Sequence, residues 1–292
     1  MFPTTAHPRA ALVTALAVLA TGCAASAAPR TDGAARPVAP TAEVRSLILP
    51  FDAYELSHQE SFEVAEARDL LMRACMRKRG HDWQVLDYPA HVDDLKNRRR
   101  YGVIEKAVAR EFGYHANAGV LSAGTGITEL RKKRDESLGS AGVRAAYDEQ
   151  NGCGYQANDR LERDGALADY DRFNRLSSEL LKKTKKQPEA VAALNRWETC
   201  MRRRGFDYRT PDEAVSDARW WSRESAPASD EEIATASADV RCKQRARLVG
   251  VLLRVESALQ RQAVADNRAY FSRLAEAKAR HLEHARQVIG RH

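Results

Sequence analysis

Cys75-Met76-Arg77-Lys78-Arg79-Gly80-His81-Asp82-Trp83 returns 125 positions later as Cys200-Met201-Arg202-Arg203-Arg204-Gly205-Phe206-Asp207-Tyr208, with six of nine positions identical and no gap. Two of the three differences, Lys78/Arg203 and Trp83/Tyr208, are conservative, so the chain carries a duplicated unit. Ahead of the first copy, Phe62, Ala65, Leu70, Leu71 and Ala74 recur at spacings that keep one helix face apolar. Gly80 then stands where a helix ends in a left-handed cap. Pro188 suits the first turn of the matching helix, which runs through Ala192, Leu194 and Trp197 to Cys200 and its Gly205 stop. The repeat therefore divides the folded part into a first helical unit, 45–187, and a second, 188–292.

Composition points the same way. Of 292 residues, 43% are hydrophobic and only 7% aromatic, and the apolar set leans on Ala, Leu and Val. That mixture favours helices over strands, and the expected fold class is all-α. A net charge of +7 suits an anionic surface such as a membrane, a wall polymer or nucleic acid, and selects none of them.

The amino-terminal residues read as an export signal. Arg9 precedes an apolar run, Ala10 to Ala20, broken only by Thr14 and too short to span a bilayer. Leu19-Ala20-Thr21-Gly22-Cys23 looks like a bacterial lipobox, although the usual Leu three residues before the Cys is replaced by Ala20. On this reading 1–22 is a signal peptide and Cys23 is the lipid attachment site. Segment 23–44, with Pro29, Pro37 and Pro40 and no apolar period, is a flexible tether. Export makes nucleic acid an improbable partner for the Arg-rich stretches.

Four cysteines remain for an oxidising compartment, and four allow three pairings. Each unit supplies one Cys at the end of its motif helix and one in a later helix, the latter in a Cys-x3-Ala context (Cys153 with Ala157, Cys242 with Ala246). Symmetry pairs Cys75 with Cys153 and Cys200 with Cys242.

Other helices follow from caps and periods. Val103 to Phe112 reads as a short helix closed by Gly113, and Cys153 to about Lys186 as a long one. Thr210-Pro211-Asp212-Glu213 opens another toward Trp220 and Trp221, and Ser229-Asp230-Glu231-Glu232 opens the last. From Ile233 to Ile289 an apolar seam is nearly continuous. Unbroken, it would make a helix about 90 Å long, with Gly250 the one candidate kink. The Cys153 helix or a second chain are the candidate partners for such a seam.

Catalytic and metal-binding patterns are sparse. There is no C-x-x-C, H-E-x-x-H or G-x-S-x-G, and Gly124-Thr125-Gly126 lacks what a phosphate loop needs. His281 and His284 read as helix-surface histidines, and Asp82 and Asp207 as turn caps. Arg77-Lys78-Arg79 and Arg202-Arg203-Arg204 read first as cations complementing helix ends. No catalytic, cofactor-binding or metal-binding residue is assigned.

The motif Cys-Met-x-x-x-Gly-x-Asp-aromatic, with Arg99-Arg100-Tyr101-Gly102, Gly113-Tyr114-His115 and Gly152-Cys153 behind an Ala-rich lipobox, resembles uncharacterised lipoproteins of high-GC actinobacteria. The resemblance spans most of the chain. It implies export, lipid anchoring on the outer face of the cytoplasmic membrane and paired cysteines, and transfers no catalytic residue. The expected role is a non-catalytic binding or scaffolding component of the cell envelope, with an anionic polymer or another envelope protein as partner. An envelope enzyme such as a cell-wall hydrolase is the alternative.

Overall fold

The computed structural model describes residues 38–116, 121, 125–166, 168–222 and 227–292. Cys23, the signal segment and most of the tether lie outside them. The described residues form helices and no strand, so the chain is all-α. The helices are α1 (Ala42–Arg45), α2 (His58–Lys78), α3 (Lys106–Phe112), α4 (Ile127–Glu136), α5 (Ser140–Tyr147), α6 (Cys153–Glu162) and α7 (Tyr170–Lys185). They continue as α8 (Pro188–Arg202), α9 (Pro211–Val215), α10 (Ala218–Trp221), α11 (Asp230–Ala246), α12 (Leu248–Asp266) and α13 (Arg268–Ile289). A single 3₁₀ turn, Pro50–Tyr54, sits between α1 and α2.

The repeated motif is a helix terminator. In the first copy the Gly80 amide donates to the Arg77 carbonyl and the His81 amide to the Met76 carbonyl, at 3.1 and 3.0 Å. In the second, Gly205 donates to Arg202 and Phe206 to Met201, at 3.0 and 3.1 Å. This is the Schellman pattern, which satisfies the last helix carbonyls and requires a left-handed residue. Gly80 and Gly205 supply it, with φ of 76° and 85°. Met76 and Met201, each following its Cys, are fully buried. The motif therefore sets where the helix stops, which face turns inward, and where the Cys points.

Both cysteine pairs join as the repeat symmetry expects. Cys75 bonds Cys153 and Cys200 bonds Cys242, with Cα–Cα distances of 5.7 and 5.6 Å. Each bond staples a motif helix to the next long helix, α2 to α6 and α8 to α11.

The described residues of the two halves are packed into one compact unit. Its main core joins Val103, Ile104 and Tyr114 of the first half to Trp197, Met201 and Leu248 of the second. At the carboxyl end α13 returns to lie along α2, where Ala285 and Val288 meet Ala67, Leu70 and Leu161. Lys278–Glu60 and Arg286–Glu63 ion pairs flank that seam.

Three long stretches are shorter helices than the periodicity suggests. The run from Ser229 to Ile289 bends twice, at Arg247, left-handed with φ 52°, and at Asn267, whose side-chain amide donates to the Ala263 carbonyl. Gly250 lies inside α12 and breaks nothing. The bends turn the seam from α8 and α3 to α7 and then to α2, so its main partner at the carboxyl end is α2, with α6 beside it. Likewise Asp164 and Gly165, at φ 58° and 75°, separate α6 from α7, and Asp217 caps a fresh turn between α9 and α10.

Closing loops that join residues 42 and 78 apart removes much unfolded-chain entropy, worth about 4 kcal/mol for each bond. A Cys200→Ser/Cys242→Ser variant is expected to lose stability of that order in urea unfolding under oxidising conditions, and to match the wild type once both are reduced.

Candidate functional site

Where the first half meets Gln260 of the second lies a cleft of about 630 Å³, walled by the 3₁₀ turn, the Lys96–Arg100 turn, α7 and α12. Asp52 opens the 3₁₀ turn by accepting the Leu49 amide at 2.8 Å and the Asn97 side-chain amide at 2.7 Å. Gln260, almost fully buried on α12, accepts the Phe51 amide at 2.9 Å and donates to Glu256 at 2.9 Å. Glu256, with no solvent exposure, also takes the Arg100 guanidinium and, at 2.9 Å, the Tyr101 hydroxyl. Most polar groups along the back wall are therefore spent on holding the chain, as buried polar groups must be.

Facing the cleft is a less settled set. Glu55 has its carboxyl pushed above the ordinary 4.5, chiefly by burial; Asp52 and Asp94 add to the push while Lys96 and Arg100 oppose it. The Lys96 ammonium lies 3.2 Å from Asp94 without hydrogen-bond geometry, and Arg99 Nη1 is buried with no acceptor among the described residues. Burial and the neighbouring Arg98 lower the pKa of Arg99. Ser177 and Ser178 line the α7 side, but no histidine or cysteine is among the lining residues. The geometry can bind a polar ligand and presents one carboxyl whose pKa is raised; among the described residues no nucleophile is paired with a base there.

Residues singled out from sequence fall elsewhere. The disulfides lie outside the cleft. Asp82 and Asp207 are exposed, and no hydrogen bond to either carboxylate occurs among the described residues, so the turn-cap role has no support. His284 Nδ1 contacts the Leu161 carbonyl at 3.0 Å, and the pKa of half-buried His281 is lowered from its ordinary value by partial burial and by His284. Among the described residues no three His, Cys, Asp or Glu side chains are placed to hold a metal ion. Gly126, at φ 67°, precedes α4 as a backbone hinge; Gly124 lies outside the described residues. The cleft itself has no local signal, because its walls come from four distant segments.

No family model matches the chain, and no curated protein or solved structure is detectably similar to it.

Glu55 gives a pH test of the cleft. Because its folded pKa is raised, its contribution to stability is fully present below 4.5 and is lost as pH rises through the folded value. Near neutral pH the chain holds a carboxylate there at a cost. Glu55→Gln is therefore expected to raise the melting temperature near pH 7, and the gain should shrink to nothing below pH 4.5.

Proposed function

We propose that the chain is a lipid-anchored, extracytoplasmic protein that binds or scaffolds a component of the cell envelope without transforming it. The observation that carries the reading is the pair of repeat-related disulfides, each closed between a motif helix and its neighbour. Structural disulfides belong to oxidising compartments, which agrees with the export signal and the lipobox-like Cys23. A tether rich in Ala and Pro suits a folded body held off a membrane, and the resemblance to actinobacterial lipoproteins supports the same placement. Binding rather than catalysis is favoured by a cleft whose fixed polar groups hold the backbone and whose free groups form no catalytic pair.

The decisive experiment is fractionation of cells expressing Cys23→Ser. The wild type is expected to take up labelled fatty acid and sediment with membranes, and the variant to be released. A wild type that never acquires lipid, or a variant that stays with the membrane, would count against the anchor.

One observation favours the second reading, an envelope enzyme such as a cell-wall hydrolase. Glu55 combines a raised pKa with a place in a cleft, the combination a general acid needs. On that reading Glu55→Gln abolishes release of soluble fragments from purified wall while the fold persists. On the binding reading neither protein releases any.

A further inference from the structure

A groove lies beside each disulfide, and the two grooves correspond in part through the repeat, although Arg160 of the first aligns with Val249, which does not line the second. The second groove, about 600 Å³, is lined by Arg203, Arg204 and Arg245 over Cys200, with Arg196 at its side. The first, about 300 Å³, is lined by Lys78, Arg79 and Arg160 over the Cys75–Cys153 bond. The repeat aligns Lys78 with Arg203 and Arg79 with Arg204. In the Cys-x3-Ala segments it aligns Gln156 with Arg245, and both of these line their grooves. No carboxylate lines either one.

Lys78, Arg160 and Arg245 stand in the last turns of their helices, where a cation complements the dipole, but that role does not require them to gather with Arg203 and Arg204 around two grooves. The Gly80 and Gly205 turns already bond the Met76, Arg77, Met201 and Arg202 carbonyls, so those four need no side-chain partner. Among the described residues, the side chains of Lys78, Arg160, Arg203, Arg204 and Arg245 make no hydrogen bond or ion pair, and all five are exposed. Arg79 is different, since it holds the Ala145 and Asn151 carbonyls. The remaining member of each triplet stands outside its groove: Arg77 lines neither, and Arg202 is paired with Glu198.

We infer that the two grooves beside the disulfides are related anion-binding sites that seat phosphate groups of a phosphodiester-linked polymer. Guanidinium forks match tetrahedral oxyanions, and several converging in one concavity favour a group with several oxygens over an isolated carboxylate. Two related cationic grooves on one compact unit suit a chain that repeats the same charged group, because the second contact becomes intramolecular. A flat anionic bilayer would meet the protruding Arg77 and Arg202 as readily as the groove walls. The inference rests on the envelope-binding reading for where the polymer is met, but not for the binding itself.

The test uses the full chain carrying Cys23→Ser, so that no lipid contributes, titrated with poly(glycerol phosphate) across a salt series. Arg203→Gln/Arg204→Gln/Arg245→Gln and Lys78→Gln/Arg160→Gln are each expected to weaken binding about tenfold or more and to flatten its salt dependence. Arg77→Gln/Arg202→Gln, which removes charge outside the grooves, is expected to bind as the parent does. Equal losses in all three variants would reduce the effect to diffuse charge and overturn the inference, as would no loss in any. So would equal affinity for polygalacturonate, or preferential binding to phosphatidylglycerol vesicles. Lipid labelling of Cys23 judges the anchoring separately, so the two can fail independently.

Discussion

Three successive arginines cannot enter a protein interior unless each finds its own acceptor, and Arg98, Arg99 and Arg100 satisfy that constraint in three directions. Arg98 forms a buried pair with Glu105, its Nε 2.7 Å from the carboxylate. Arg99 donates to the Tyr114 carbonyl, and Arg100 reaches Glu256 on α12. Removing one partner from such a pair leaves an uncompensated charge, at a cost of about 3–5 kcal/mol. Because Glu256 belongs to the second half and Arg100 to the first, the halves complete each other's charge balance. The tight Tyr101–Gly102 turn that aims these groups also explains a glycine: a Cβ at Gly102 would come 3.0 Å from the buried Lys243 ammonium.

What the sequence makes legible is whatever is local or duplicated. The all-α class, the helix stops at Gly80 and Gly205 and both cysteine pairings follow from the repeat, because the Schellman turn needs its glycine at a fixed offset from the Cys. The breaks at Arg247 and Asn267 are not legible in that way. Neither residue is a standard helix breaker, and each bend is imposed by the need to lay one apolar seam on several partners in turn. The Asp164-Gly165 break and the Ser57/Glu60 capping box of α2 do carry ordinary local signals. The second capping box is only half formed. Ser229 accepts the Glu232 amide, but the Glu232 carboxylate is buried against the Tyr114 amide and His115.

The cleft is hidden from sequence for a different reason. Its walls are separated by more than two hundred residues, from Leu49 to Gln260, and its polar members are ordinary loop and helix residues in their local setting. Glu55, Lys96 and Arg100 all belong to the first half, and Gln260 of the second closes the cleft behind them. The Arg-rich turn before Tyr101, which resembles a surface patch in the sequence, is instead interior scaffolding. Arg203 and Arg204 of the duplicated motif, by contrast, face water.

Val38 marks where the chain from the amino terminus joins the body. Its carbonyl is held by Arg98 Nη2 at 2.8 Å, and three residues later the Thr41 amide is held by Glu105 at 3.2 Å. The point of attachment is thus wired to the most deeply buried ion pair of the first half. A pull applied at Val38 would load that buried ion pair directly. The fold is gripped by the same charges that close it.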